Sequence, residues 1–137
     1  MAAAPRKLAL ITAVSQEMAP LARRLSPGVS GPATPGLAPR YGEWAGWQVA
    51  LVSAGVGRER AAFTTRSLLS MWQAELVLMV GVAGALDPQL EVGHVLTAAG
   101  VLAGEEVLSP GWVAPGLPAA TLLSADRVLV TAAEKRI

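Results

Sequence analysis

Apolar positions along this chain follow two patterns: short unbroken runs, and stripes spaced three or four residues apart. Leu8–Val14 is a continuous apolar run with β-branched members. Such a run predicts a strand buried on both faces. Met18, Leu21, Ala22 and Leu25 follow at helical spacing, with Ser15 placed to cap the helix and Gln16 and Glu17 in its first turn. Ser26-Pro27-Gly28 stops that helix, and Pro27–Pro39 reads as an irregular excursion. Tyr41–Trp44, Ala45-Gly46 and Trp47–Ser53 predict a hairpin whose second strand runs inward.

After the loop Ala54–Arg58, the residues Ala61, Ala62, Thr65, Leu68, Leu69 and Trp72 recur at helical spacing, so a second helix packs back on the sheet. Glu75–Val80 predicts the next strand. It leads into the small-residue loop Gly81-Val82-Ala83-Gly84-Ala85-Leu86 and a further strand over His94–Leu102. Pro110–Pro118 reads as loop and Ala125–Arg136 as a helix. The order is that of an α/β fold. In open α/β sheets ligands bind outside the carboxyl ends of the strands, and three loops fall there: Ser15–Glu17, Gly55–Arg58 and Val82–Ala85.

Composition narrows the function. The 137 residues give room for one modest domain, 1–137, and an apolar fraction of 53% against 15% charged argues for a packed chain. A net charge of +1, with no basic stretch interleaved with aromatics, speaks against nucleic acid as a partner. Without cysteine there is no disulfide, thiolate catalyst or cysteine-ligated zinc, and a single histidine excludes a multi-histidine metal site within the chain. Arg6 and Lys7 precede an apolar run too short to favour a signal peptide over a first strand, and Leu76–Leu86 is too short to span a bilayer. A soluble, cytoplasmic protein without a membrane partner is expected.

Glu17 lies just past the first strand. A carboxylate there can orient a water or accept a proton; as a first-turn residue it can equally complement the helix dipole. Gly55-Val56-Gly57-Arg58 lets backbone N–H groups face an anion or a sugar hydroxyl, with Arg58 adding charge, or simply makes a tight turn. It lacks the third glycine of a dinucleotide fingerprint and the Gly-Lys-Ser/Thr ending of a P-loop. His94 and the tryptophans 44, 47, 72 and 112 read as structural, packing or interface residues.

Taken together and in order, the three loops resemble the nucleoside phosphorylase/nucleosidase superfamily. Ala13-Val14-Ser15-Gln16-Glu17-Met18 resembles the first-strand motif of methylthioadenosine/S-adenosylhomocysteine nucleosidases. Ser53–Arg58 resembles their Ser-Gly-Ile-Gly-Lys loop. Gly81–Leu86 with Val92-Gly93-His94-Val95 resembles their Gly-Ser-Ala-Gly-Gly-Leu and Val-Gly-Asp-Ile pair, and relatives in the futalosine and hopanoid pathways are similar in this third loop. The resemblance runs the length of the chain, because Ser124–Arg136 is similar to the helix that follows in the family.

The resemblance implies a three-layer sandwich with a mixed central sheet, and cleavage of the N-glycosidic bond of a purine or related nucleoside. Glu17 would position the attacking water and bind a ribose hydroxyl. Val14, Gly55, Val56, Gly57, Arg58, Val82, Ala83 and Gly84 would line the substrate. No metal or cofactor is implied, and phosphate enters only as the co-substrate of a phosphorylase; a homo-oligomer is the family habit.

Departures bear on these roles. Val82 stands where the methylthioadenosine enzymes carry serine, and His94 where aspartate is common. Val80 stands where many phosphorylases carry an arginine that grips phosphate, which favours hydrolysis over phosphorolysis. A Met-Glu motif that holds the ribose and an aspartate that protonates the leaving base come later in the family than Ile137. The expectation is an N-terminal part of such an enzyme, truncated before its catalytic acid. The alternative is a non-catalytic nucleoside-binding or oligomer-forming short product.

Overall fold

The computed structural model describes residues 4–136. The chain divides into two compact units, the first ending at Val82 and the second beginning at Ala83.

The first unit is built on the two apolar runs. β1 (Arg6–Thr12) and β3 (Trp47–Ser53) pair in parallel from Arg6 opposite Trp47 to Thr12 opposite Ser53. β2 (Arg40–Trp44) lies antiparallel on the outer side of β3, and β4 (Leu76–Met79) pairs in parallel with the other side of β1, giving the order β2-β3-β1-β4. The predicted hairpin forms through Ala45 at φ 50° and Gly46 at φ 80°, the paired left-handed conformations that match strand twist.

Both faces of this sheet are covered, as the unbroken runs require. Leu8, Leu10, Val49 and Leu51 point to the face where α1 (Ser15–Ala22) sets Met18, Leu21 and Ala22. Ala9, Ile11, Ala50 and Val52 point to the other, against Leu68 of α2 (Arg58–Met71) and Trp72 just beyond it. The unit is therefore a helix–sheet–helix sandwich with a mixed sheet. Burying one such leucine contributes about 2–3 kcal/mol.

β1 starts earlier and ends earlier than the apolar run. Arg6 sets its guanidinium over the Trp47 ring and Lys7 its ammonium over the Trp72 ring, so each cation is held by the face of an aromatic ring. The strand stops at Thr12 because the next two N–H groups turn to Glu17. The proline-rich excursion is irregular as expected; Tyr41 ties it down by donating its hydroxyl to the Pro32 carbonyl at 2.8 Å.

The second unit holds a three-stranded sheet, β6-β5-β7. β5 (Thr97–Ala103) pairs antiparallel with β6 (Glu106–Leu108) and in parallel with β7 (Ala119–Ser124), with an irregularity between Ala98 and Gly100. The sequence reading missed β6 and β7. It also began β5 too early: His94 sits in a turn, where its N–H donates to the Glu91 carbonyl and its Nδ1 accepts the Glu91 N–H.

The helix expected over Ala125–Arg136 does not form; that stretch is turns and irregular chain. Val128 and Val130 are exposed, and a helix this short needs an apolar face packed on a core. What does form is one capped turn. Thr131 Oγ1 accepts the Glu134 N–H and Glu134 Oε2 accepts the Thr131 N–H, a reciprocal cap. Among the described residues no helix is long and apolar enough to cross a membrane.

Candidate functional site

At the carboxyl end of β1 the chain turns into α1, and Glu17 sits at the third position of that helix. Ser15 does not cap it. The N-cap position falls to Val14, whose side chain has no acceptor, so the glutamate alone satisfies the turn. Glu17 Oε2 accepts the N–H of Ala13 at 2.9 Å and of Val14 at 3.2 Å.

A third donor comes from the chain that follows β4, the strand next to β1. The Val82 N–H, just past β4, donates to Glu17 Oε1 at 3.0 Å. The carboxylate thus joins the loops that follow β1 and β4. It is held below its ordinary range, chiefly by the Val82 N–H, with the Val14 and Ala13 N–H groups adding to this and partial desolvation opposing it. One group thus caps the helix and presents its carboxylate at the strand ends.

β3 supports the same corner. Ser53 Oγ donates to the Ala13 carbonyl at 3.2 Å and the Ala54 N–H donates to the Thr12 carbonyl at 2.8 Å. The Ala13–Val14 peptide whose N–H groups face Glu17 is held from its other side. Sequence reasoning missed Ser53 as a support, although a hydroxyl at the end of an inward strand was its signal.

The remaining candidates are placed as follows. Val14 and Gly55 are half-buried, whereas Val56, Gly57 and Arg58 are exposed at the start of α2. Gly55 and Gly57 both adopt positive φ, at 85° and 109°, so the strand-to-helix turn itself calls for glycine. Arg60 lies across Gly55. Val82 is engaged through its backbone, its side chain standing outward. Ala83 and Gly84 open the second unit and are exposed. The structure therefore brings Val14, Glu17 and Val82 together by hydrogen bonds and ties the loop after β3 to them through Ser53 and Ala54. A groove of about 400 Å³ lies beside this corner, between Gly36–Ala38, Ser53-Ala54 and the first turns of α2, and Glu17 does not line it. Among the described residues no cluster of three histidine, cysteine or acidic side chains is placed to hold a metal.

These features define an α/β protein with an ionised carboxylate and exposed backbone at the strand carboxyl ends. Residues 7–137 match the family model described as the phosphorylase superfamily, and the chain belongs to that superfamily. It is similar to the 5'-methylthioadenosine/S-adenosylhomocysteine nucleosidase of Marinomonas sp., 35% identical over 97 residues, covering 68% of this chain and 41% of that protein. The nucleosidase of the same name from Geobacillus kaustophilus is 32% identical over 133 residues, covering 94% of this chain and 55% of that one. The chain thus spans about half the length of these curated relatives. Among solved structures, Helicobacter pylori 5'-methylthioadenosine/S-adenosylhomocysteine nucleosidase superposes with a TM-score of 0.82 at 16% identity, covering 96% of this chain and 69% of that one. The futalosine hydrolase of the same organism gives a TM-score of 0.82 at 15% identity over the same shares. At these identities the superpositions speak for the fold.

Proposed function

We propose that this chain forms part of a nucleosidase that hydrolyses the N-glycosidic bond of a purine nucleoside, with Glu17 orienting the attacking water. The observation that carries this reading is the Glu17 carboxylate, held by three backbone N–H groups at the carboxyl ends of β1 and β4 in a member of the phosphorylase superfamily. Three donors and a lowered pKa keep the group ionised at neutral pH and weaken it as a proton acceptor. Its role is then to accept a hydrogen bond from the water's O–H, fixing the direction of attack, and to stabilise positive charge developing on the sugar. Val14, Val82, Ala83 and Gly84, with the loop Gly55–Arg58, would line the nucleoside.

Water is favoured over phosphate because Val80 supplies no cation where many phosphorylases carry arginine. The reaction needs no cofactor and no metal. The names of the relatives point to 5'-thio-substituted adenine nucleosides as the first substrates to try. A cytoplasmic homo-oligomer is the assembly this reading implies.

The test is base release from 5'-methylthioadenosine by the protein that carries this sequence, measured with and without inorganic phosphate. Release independent of phosphate, reduced about 10²- to 10⁴-fold by Glu17→Gln, is the expected result. Release that requires phosphate would end the hydrolase assignment, and full activity in Glu17→Gln would remove Glu17 from the mechanism.

A further inference from the structure

Gly81, two residues past β4, has a relation to Glu17 that its sequence position conceals. A side-chain carbon built on Gly81 would lie 2.8 Å from Glu17 Oε1, 3.1 Å from its Cδ and 3.2 Å from Oε2. The carboxylate therefore lies flat against the Gly81 backbone, in space that any other residue would fill. Conformation is not the reason for glycine here. Gly81 is absent from the glycines at positive φ, which include Gly55 and Gly57 in the loop after β3. Gly84, three residues on, has open space where its side chain would be.

The carboxylate cannot step aside at no cost. Its Oε2 is tethered to the Ala13 and Val14 N–H groups, and its Oε1 to the Val82 N–H adjoining Gly81. A methyl group at position 81 pushes on atoms held from two sides, and the Val82 bond is the one in its path.

We propose that Gly81 is a positioning residue for Glu17: its missing side chain is the seat that lets the carboxylate reach across from α1 and take the Val82 N–H. Specificity for the water-orienting geometry then rests on an absence of atoms 64 positions further along the chain than the glutamate. This rests on Glu17 having the role given above, but the seat itself is a property of the folded chain without substrate.

The test is Gly81→Ala, with the Glu17 carboxyl and the Val82 amide followed by NMR through an acid titration. Loss of the Val82 bond, the largest cause of the depression, raises the Glu17 midpoint, and the Val82 amide no longer tracks that titration. Gly111→Ala, where a side chain meets nothing within 4 Å, leaves both unchanged. A Glu17 midpoint and Val82 amide in Gly81→Ala that match the parent would overturn the proposal.

If Gly81→Ala gives too little folded protein for spectra, thermal unfolding of a double-mutant cycle decides instead. The alanine should lower the melting temperature with Glu17 present and have little effect in a Glu17→Ala background, where nothing occupies the seat. An equal loss in both backgrounds would show that position 81 acts without Glu17. Neither readout involves turnover, so a protein that releases no base could still have this seat, and an active enzyme could still lack it.

Discussion

Leu8–Ile11 of β1 and Val49–Val52 of β3 are all at or below 9% exposed, whereas in the second unit Val107, Leu108 and Leu122 stand 64%, 46% and 39% exposed. Both regions hold strands paired in ladders, the second with one irregularity between Ala98 and Gly100, so pairing by itself does not make the difference. The first sheet has a helix on each face, and among the described residues the second unit has no helix. Backbone pairing gives a strand its shape; burial on both faces gives it stability. Glu17 takes its place from the better-buried region, where the ends of β1, β3 and β4 are fixed by a shared core.

The largest effect that separates the two regions comes from truncating one leucine in each. Leu51 is fully buried, and Leu51→Ala should cost about 2–5 kcal/mol, measured by urea unfolding. Leu122→Ala should cost less than about 1 kcal/mol, because that side chain has already kept much of its surface in water. Equal losses would mean that the second unit has a core comparable to the first.

That contrast also marks how much was legible beforehand. β1 and β3 announced themselves because continuous apolar runs have one good solution in an α/β chain, and Glu17 stood out as a candidate from its place just past such a run. β6 and β7 carried no comparable signal: Glu-Val-Leu is three residues long, and Ala119–Ser124 opens with two alanines. Residues 125–136 read as a helix by their resemblance to one in the family, but resemblance cannot supply the surface such a helix must cover. Ser15 looked like a cap because it is a capping residue at a helix start, yet the cap comes from Glu17 reaching back. The Val82 bond spans 65 positions and has no local trace at either end.

A smaller effect tests whether the Glu17 corner contributes to the stability of the first unit. The folded pKa is depressed, so the carboxylate contributes stability that is fully present above its ordinary value and is lost as pH falls through the lowered one. Glu17→Gln removes that dependence and leaves an amide nitrogen facing backbone donors, at a cost of about 1 kcal/mol at neutral pH. The difference between parent and variant in urea midpoints should shrink on acidification. A gap that stays constant with pH would mean that the three backbone bonds do not stabilise the ionised form.

The smallest effect belongs to the second unit, at a carboxylate held by similar chemistry. Glu134 is pulled down from about 4.5 to about 2, first by the Thr131 N–H, then by Arg127 and the Val130 N–H. Being depressed, it favours the folded turn above its ordinary value, and that preference disappears as pH falls towards 2. Because the turn lies outside the packed core of the first unit, the consequence is local: the amide signals of Val130, Thr131 and Glu134 should shift together in that interval while β1 and β3 stay unchanged. Salt should weaken the Arg127 contribution and leave the Thr131 cap, since exposed ion pairs are screened and backbone bonds are not. If acid instead unfolded the whole chain together with this turn, the second unit would share the stability of the first, and the contrast between the two would concern exposure alone.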